Sequence, residues 1–414
     1  MTTNPHSLNA IFQPLSNEQL ENPYPVYTLA RNQEPIFYSP QLLGDTGAWV
    51  VTRYDDTLAV IGQPEIFSSK DALRPVMTWT QETYMELMKG YPPVPMHING
   101  DGVNHLRFRR PLNRFFSAAS IKTLEPFIRA RATALADAFA NQYHAEMISQ
   151  FAYPLPLEVI LSIVGIPKED LKDTKQWTDD WLALVSSPLP PERQVACARS
   201  LVAFQHYLAN IIHERRTHPR ENDIVTDMIQ YVEPGQEPLN ETEIVNSLGG
   251  LILAGHETTT NLIGNGLALL LEHPERWQTI CARPDQIPQV VEEILRYDAP
   301  VQTFLRTTTQ EVTVGNVRIP ADAMVLVVYG SANRDETKFA YADQFIPQRE
   351  DNRHLAFGYG KHFCAGALLA RTEANIAFEI LSQRFPTLRL AAPQKFRHAM
   401  TLMFRGYQRL DVEW

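Results

Sequence analysis

Between His105 and about Leu270 apolar residues recur every three or four positions, which predicts a succession of helices. Proline-rich breaks at 154–156, 188–191 and 233–235 divide it. The longest predicted helix begins at Asn240, an N-cap followed three residues on by Glu243, and runs to Glu272 ahead of Pro274. Some 30 residues at ~1.5 Å each span roughly 45 Å, enough to cross a whole domain. Ile244, Leu248, Leu251, Ile252, Leu253, Leu262 and Ile263 put apolar side chains on several sides, as a buried helix requires. Gly249, Gly250 and Gly255 interrupt it at ~1 kcal/mol each against alanine, a cost that needs a reason.

Outside that region the pattern changes. Val26 to Arg31 predicts a short helix, and the β-branched and aromatic run from Trp49 to Tyr54 predicts a strand. Val312-Thr313-Val314 and Val317-Arg318-Ile319 flank Gly315-Asn316, a hairpin pattern, and Met324 to Tyr329 is a buried-strand run. A final helix to about Phe385 and short strands to Trp414 complete the chain. Residues 68–102 look irregular, yet they carry Met77, Trp79, Tyr84, Met85, Met88, Tyr91 and Met96. Such a segment either covers a pocket or packs into the core. With no internal repeat or flexible linker, the expectation is a mainly α fold with a smaller β region. It would be one large domain over 1–414, with β-rich parts near 48–60 and 300–330 and a helical core over 105–298 and 365–385.

Composition narrows the function classes. A formal net charge of −10 over 414 residues argues against a nucleic-acid binder. Three widely spaced cysteines, Cys197, Cys281 and Cys364, do not suit a disulfide framework and favour a reducing, cytoplasmic setting. Met1 to His6 lacks a leader pattern, and no apolar run nears 18 residues, so neither export nor membrane insertion is expected.

Candidate chemistry centres on Cys364. Phe357-Gly358-Tyr359-Gly360-Lys361-His362-Phe363-Cys364-Ala365-Gly366 is a glycine-rich loop that places one sulfur at a helix start, where the helix dipole favours a thiolate. Zinc would need more cysteine or histidine nearby than His362. A cysteine nucleophile and a haem-iron thiolate both remain open. A phosphate loop is excluded, since the third glycine of GxGxxG is missing. Ala254-Gly255-His256-Glu257-Thr258-Thr259 is either close helix packing or an acid beside a hydroxyl able to relay protons where the helix opens. A zinc-protease reading fails because Thr260 stands where the second histidine belongs. Glu293 and Arg296, at i and i+3, form either a surface ion pair or a buried lock. His105 and Arg109 share one helical face, while Arg107, Arg110 and Arg114 cluster opposite as a solvated face or a basic patch; Pro111 is expected to break or kink this helix.

Phe-Gly-x-Gly-x-His-x-Cys-x-Gly, from Phe357 to Gly366, resembles the haem-binding signature of the cytochrome P450 family. The likeness extends from Asn22-Pro23-Tyr24-Pro25 through Ala332-Asn333-Arg334-Asp335 to Phe404-Arg405-Gly406. It implies the P450 fold, a b-type haem (heme b) with Cys364 as axial thiolate, and Phe357, Ala254 and Gly366 against the ring. It further implies His105, Arg109, Arg306 and His354 at the propionates, although the usual prolines before His105 are absent. Glu257 would be the proton source and Thr258 the hydroxyl in O2 activation. Glu293 and Arg296 would match the family's ExxR. Gln344 stands where its third, basic member is common, and Arg349 would serve instead. The substrate pocket would be lined from the 77–96 loop (Met88), the long helix (Leu248), Val301, Thr303 and Leu402, for a small apolar organic substrate. Electrons would come from NAD(P)H through a ferredoxin and its reductase, docking on Arg107, Arg110, Arg114 and Lys361. The competing readings are a non-catalytic haem sensor or carrier and a cysteine hydrolase.

Overall fold

The computed structural model describes residues 8–392 and 397–414, so the Met1–His6 opening and part of the C-terminal strand region lie outside the described residues. In chain order the principal elements begin with α1 (Tyr24–Gln33), β1 (Ile36–Ser39), β2 (Ala48–Val51), α2 (Tyr54–Ile61) and β3 (Phe67–Ser68). A helical stretch follows: α3 (Gln81–Leu87), α4 (Gly102–Phe115), α5 (Ala118–Phe139), a short β4 (His144–Glu146), α6 (Pro154–Val164), α7 (Leu171–Ser186) and α8 (Pro191–Thr217). Then come α9 (Glu241–Leu271), α10 (Ile287–Tyr297), β5 (Thr303–Thr308), β6 (Val312–Val314), β7 (Val317–Ile319) and β8 (Met324–Val328). The chain closes with α11 (Ala367–Arg384), β9 (Arg389–Leu390) and β10 (Asp411–Glu413).

α9 is the 31-residue helix predicted from its capping pattern. The Asn240 side chain accepts from the Glu243 main-chain N–H at 3.0 Å, and the Glu243 carboxylate accepts from that of Asn240 at 2.8 Å, so two orphan donors are satisfied together. The helix is buried along most of its length, and α6, α8, α10 and α11 pack around it in the largest apolar cluster. Its glycines mark close approaches. A Cβ on Gly255 would come within 2.7 Å of the Ile160 side chain on α6, and one on Gly250 within 2.8 Å of Met96.

The main sheet has the order β1-β2-β8-β5-β3. β2 and β8 run parallel, with Trp49 opposite Val325 and Val51 opposite Val327; the other pairs are antiparallel. Every residue of β8 is buried, as its unbroken apolar run requires. β6 and β7 form the predicted hairpin.

Three expectations need correction. The 48–60 region is a strand only over Ala48–Val51, because Tyr54 onward turns into α2, with Asp55 and Asp56 in its first turn. Residues 68–102 contain α3, whose N-cap Thr80 accepts from the Thr83 N–H. Pro111 neither breaks nor ends α4: it lies buried inside the helix, where its ring packs and only one backbone hydrogen bond is lost.

Candidate active site

The cysteine loop is held by its own backbone. Cys364 N–H donates to Phe357 O at 2.9 Å, Gly358 N–H to Leu355 O at 2.9 Å and Phe363 N–H to Gly360 O at 3.1 Å. Gly358 (φ 70°) and Gly360 (φ 67°) sit in the left-handed region such a turn demands. Cys364 opens onto a cavity just ahead of α11. Burial pushes its thiol above the ordinary value, although the Gly366 N–H, Arg109 and Arg371 pull the other way. The Gly366 N–H at the helix start thus favours the thiolate, as expected, against the opposing effect of desolvation.

Across the cavity from Cys364 stand Leu251, Ala254 and Thr258 of α9, Trp181 and Val185 of α7, then Val301, Phe304, Met403 and Phe404. Arg109, Arg306, Phe357 and Gly366 also line it. His105 stands behind, 3% exposed and tilted over His362 with ring centroids 4.4 Å apart; its Nε2 has no partner. Burial, with His362 and Arg109 adding, pushes His105 down to about 4.

Other predicted lining residues lie elsewhere. Met88 ends α3 and is 83% exposed, because that short helix faces solvent rather than the cavity. Leu248 is fully buried in the core around α9, on a face turned from the cavity. Thr303 donates its hydroxyl to Leu402 O at 2.9 Å, and both are buried just outside the lining. His354 does not reach the cavity either. Its Nδ1 accepts from Ala356 N–H and its Nε2 faces Glu292 at 3.2 Å, where Arg371 also binds. His97 and Trp181 are among the lining residues that escaped the sequence reading. His97, bonded through Nδ1 to the Ser247 hydroxyl at 3.0 Å, follows directly on the apolar loop that was singled out up to Met96. Trp181 had no local signal, since it is one aromatic on an amphipathic helix.

Thr258 lines the cavity, whereas Glu257 lies behind it and faces α7. The Thr258 hydroxyl donates to Ala254 O at 3.0 Å, so α9 runs unbroken here instead of opening; the hydroxyl takes up the carbonyl of the preceding turn and holds it closed. Glu257 Oε1 accepts from Asn261 Nδ2 at 3.2 Å. Burial, with the Asp179 charge adding, raises its carboxyl to about 7.

Glu293 and Arg296 form a buried lock and not a surface pair: both side chains are 0% exposed and bonded twice at 2.8 Å. Arg296 also donates to the carbonyls of Asn333, Ala342 and Gln344. Gln344 thus contributes its backbone, while Arg349 Nε stands 3.3 Å from Glu293. Asn352 Nδ2 and the Ile346 N–H complete the set of donors to the Glu293 carboxylate. The lock therefore fixes the segment leading to the cysteine loop. The basic patch is a further correction. Arg107 pairs with Glu243 at 2.7 Å, Arg110 with Glu233 at 2.6 Å, Arg114 with Asp227 at 3.1 Å, and Lys361 with Glu65. Glu243 of α9, Glu233 of the loop before it and Asp227 of the short helix Ile224–Gln230 supply the first three carboxylates, which sequence order hides.

The donor set fits an iron porphyrin. A sulfur faces the cavity, and Arg109 and Arg306 line it with no carboxylate partner among the described residues. His105 Nε2 is an orphan donor or acceptor beside them, and a Cβ on Gly366 would meet nothing within 4 Å. Two cations suit two propionates, and the apolar opposite wall suits a substrate above the ring.

Fold and site together define a haem-binding monooxygenase. Comparison with known proteins agrees: the family model for cytochrome P450 matches residues 97–281 and 286–404. Cytochrome P450 CYP107DY1 of Priestia megaterium is 34% identical over 368 residues, 88% of each chain. Mycinamicin IV hydroxylase/epoxidase of Micromonospora griseorubida is 34% identical over 373 residues, 89% of each chain. Among solved structures, cytochrome P450 CREJ in complex with (4-ethylphenyl) dihydrogen phosphate superposes with a TM-score of 0.92 at 32% identity, covering 99% of this chain and 100% of that one. The chain belongs to the cytochrome P450 family and is a monooxygenase, which sets aside the sensor, carrier and hydrolase readings. Among the described residues no helix is long and apolar enough to cross a membrane.

Proposed function

We propose that this P450 hydroxylates, epoxidises or O-dealkylates a neutral, largely apolar organic molecule. Electrons would come from NAD(P)H through a ferredoxin and its reductase, in a cytoplasm that suits three cysteines free of disulfides. The observation that carries the substrate class is the wall facing Cys364: at Leu251, Leu253, Ala254 and Thr258 on α9, and at Trp181, Val185, Val301, Phe304 and Met403, it offers no charged side chain. A site that binds a carboxylate or phosphate ester needs a cation there. The relative from Micromonospora griseorubida is named for hydroxylation and epoxidation, which supports those reaction types.

A haem bound in this cavity would supply the iron chemistry that activates O2. Cys364 would supply the sulfur that holds the iron, and the buried Glu293–Arg296 lock with Arg349 keeps its loop rigid. Arg109 and Arg306, with His105 behind them, would hold the propionates. Glu257 stores a proton behind the wall, and Thr258, on the cavity side, directs it inward. A haem carrier would need neither residue.

The test is a ligand screen read by the Soret band. Neutral apolar molecules shift it and their carboxylate analogues do not; the reverse preference would overturn the substrate class. The reduced protein with carbon monoxide absorbs at the thiolate position of the family, and Cys364→Ser abolishes that band.

A further inference from the structure

A second cavity, of about 570 Å3, lies at the C-terminal end of α9 and shares no lining residue with the cavity at Cys364. The start of α1, the end of α10, Arg334 and residues from the 398–407 segment enclose it. Most of its polar groups are matched within the protein. Asp298, 4% exposed, accepts from the Tyr24 hydroxyl and from Arg405 Nε at 2.8 Å. The other Arg405 nitrogens donate to Leu20 O and Glu21 O, and Arg31 is held by Glu336, Ser331 and Thr28.

Two groups on the wall are not matched. The half-buried Arg334 guanidinium is clamped between two aromatic faces, its central carbon 3.3 Å from the Tyr24 ring centroid and 3.6 Å from that of Tyr297. Its Nε donates to Tyr297 O at 2.6 Å, and its two terminal nitrogens have no protein partner among the described residues. His398 is the other, 8% exposed with its ring over Tyr407 at 4.3 Å. Burial and the Arg405 charge push its pKa down, so the ring is neutral. Its Nδ1–H donates to Glu21 Oε2 at 2.7 Å, which leaves the buried Nε2 an acceptor with no donor. Buried polar atoms are rarely left so. Glu272 and Asp343 also reach the cavity, but both are exposed to water, and their repulsion weighs more against a doubly charged anion than a singly charged one.

We propose that this cavity binds a small organic carboxylate that also carries a hydroxyl or N–H group, the carboxylate on the terminal nitrogens of Arg334 and the donor on Nε2 of His398. A guanidinium already fixed by two rings loses little further freedom on binding, and its planar fork matches a carboxylate with two hydrogen bonds. The volume is that of a small-molecule site. The preference is opposite to that of the wall facing Cys364, where no cation awaits an anion, so the two cavities are told apart by charge.

The test is calorimetric titration of the holoenzyme with 4-hydroxybenzoate, L-tyrosine and lactate, with the Soret band followed in parallel. At least one acid should bind saturably while the Soret band stays still. For 4-hydroxybenzoate, the neutral 4-hydroxybenzamide should bind about tenfold more weakly, as should the acid itself to Arg334→Gln, with Arg334→Lys between. His398→Asn keeps a donor for Glu21 and removes Nε2; it should weaken 4-hydroxybenzoate about fivefold and leave benzoate unchanged. Should Arg334→Gln fail to retain haem, the amide and His398→Asn still decide. No saturable heat from any of the three acids up to about 10 mM overturns the proposal. So does equal binding of acid and amide, or affinity unchanged in both the Arg334→Gln and His398→Asn variants. Heat that tracks a Soret shift would place the acid at the haem instead, overturning this site and the neutral-substrate reading together.

Discussion

Burial raises the pKa of Glu257 and of Cys364 by the same physics, yet the consequences differ. A carboxyl kept neutral near pH 7 is a proton store, whereas a thiol kept neutral must lose its proton before it can bind iron. Haem retention should therefore strengthen as pH rises, measured by haem transfer to a scavenger protein. For Glu257 the sign runs the other way. Its folded-state pKa of about 7 exceeds the ordinary 4.5, so the folded chain binds a proton the unfolded chain releases. Stability contributed below about 4.5 declines through that window and stays lost above about 7. Glu257→Gln should flatten this part of the urea-midpoint profile, with the larger gain in midpoint at pH 8 than at pH 5. Thr258→Ala should send electrons to peroxide, seen as NADPH consumed without product. The residue types at Cys364, Glu257 and Thr258 were legible in the sequence because their chemistry is local. The thiol's surroundings were not, since the segments that line its cavity lie far apart along the chain.

Among the elements, α9 was legible nearly to the residue because its capping box is a local device, written in Asn240 and Glu243. α3 was missed because its seven residues sit in a methionine-rich stretch where no apolar period can develop. The cost of α9's glycines also resolves at this scale. Gly255→Ala gains about 1 kcal/mol of helix propensity but drives a methyl into Ile160, a clash costing ~1–3 kcal/mol. The net effect should be a lower denaturation midpoint. The Glu293–Arg296 lock joins α10 to the segment before the cysteine loop through four carbonyl and carboxylate partners of one guanidinium. Breaking a buried pair from one side costs about 3–5 kcal/mol. Arg296→Leu should accordingly yield protein that cannot retain haem, judged by the ratio of Soret to protein absorbance.

Across the whole molecule, the sequence order conceals which charges meet. Arg107, Arg110, Arg114 and Lys361 looked like a cationic field, and each finds a carboxylate from elsewhere in the chain. Reduction by a ferredoxin-type donor should thus change by no more than about twofold between low and moderate salt, as stopped-flow measurement would show. Trp181 and Asp179 were hidden for the same reason: both stand more than 70 residues from the α9 segment they face. The parallel pairing of β2 with β8 has a consequence in time. Val51 cannot find Val327 until the ribosome has made the intervening chain, which at ~5–20 residues per second takes roughly 15–55 s. Through that interval the β1–β2 hairpin carries an open edge on a growing polypeptide, so the nascent chain is a natural client for chaperones that shield strand edges.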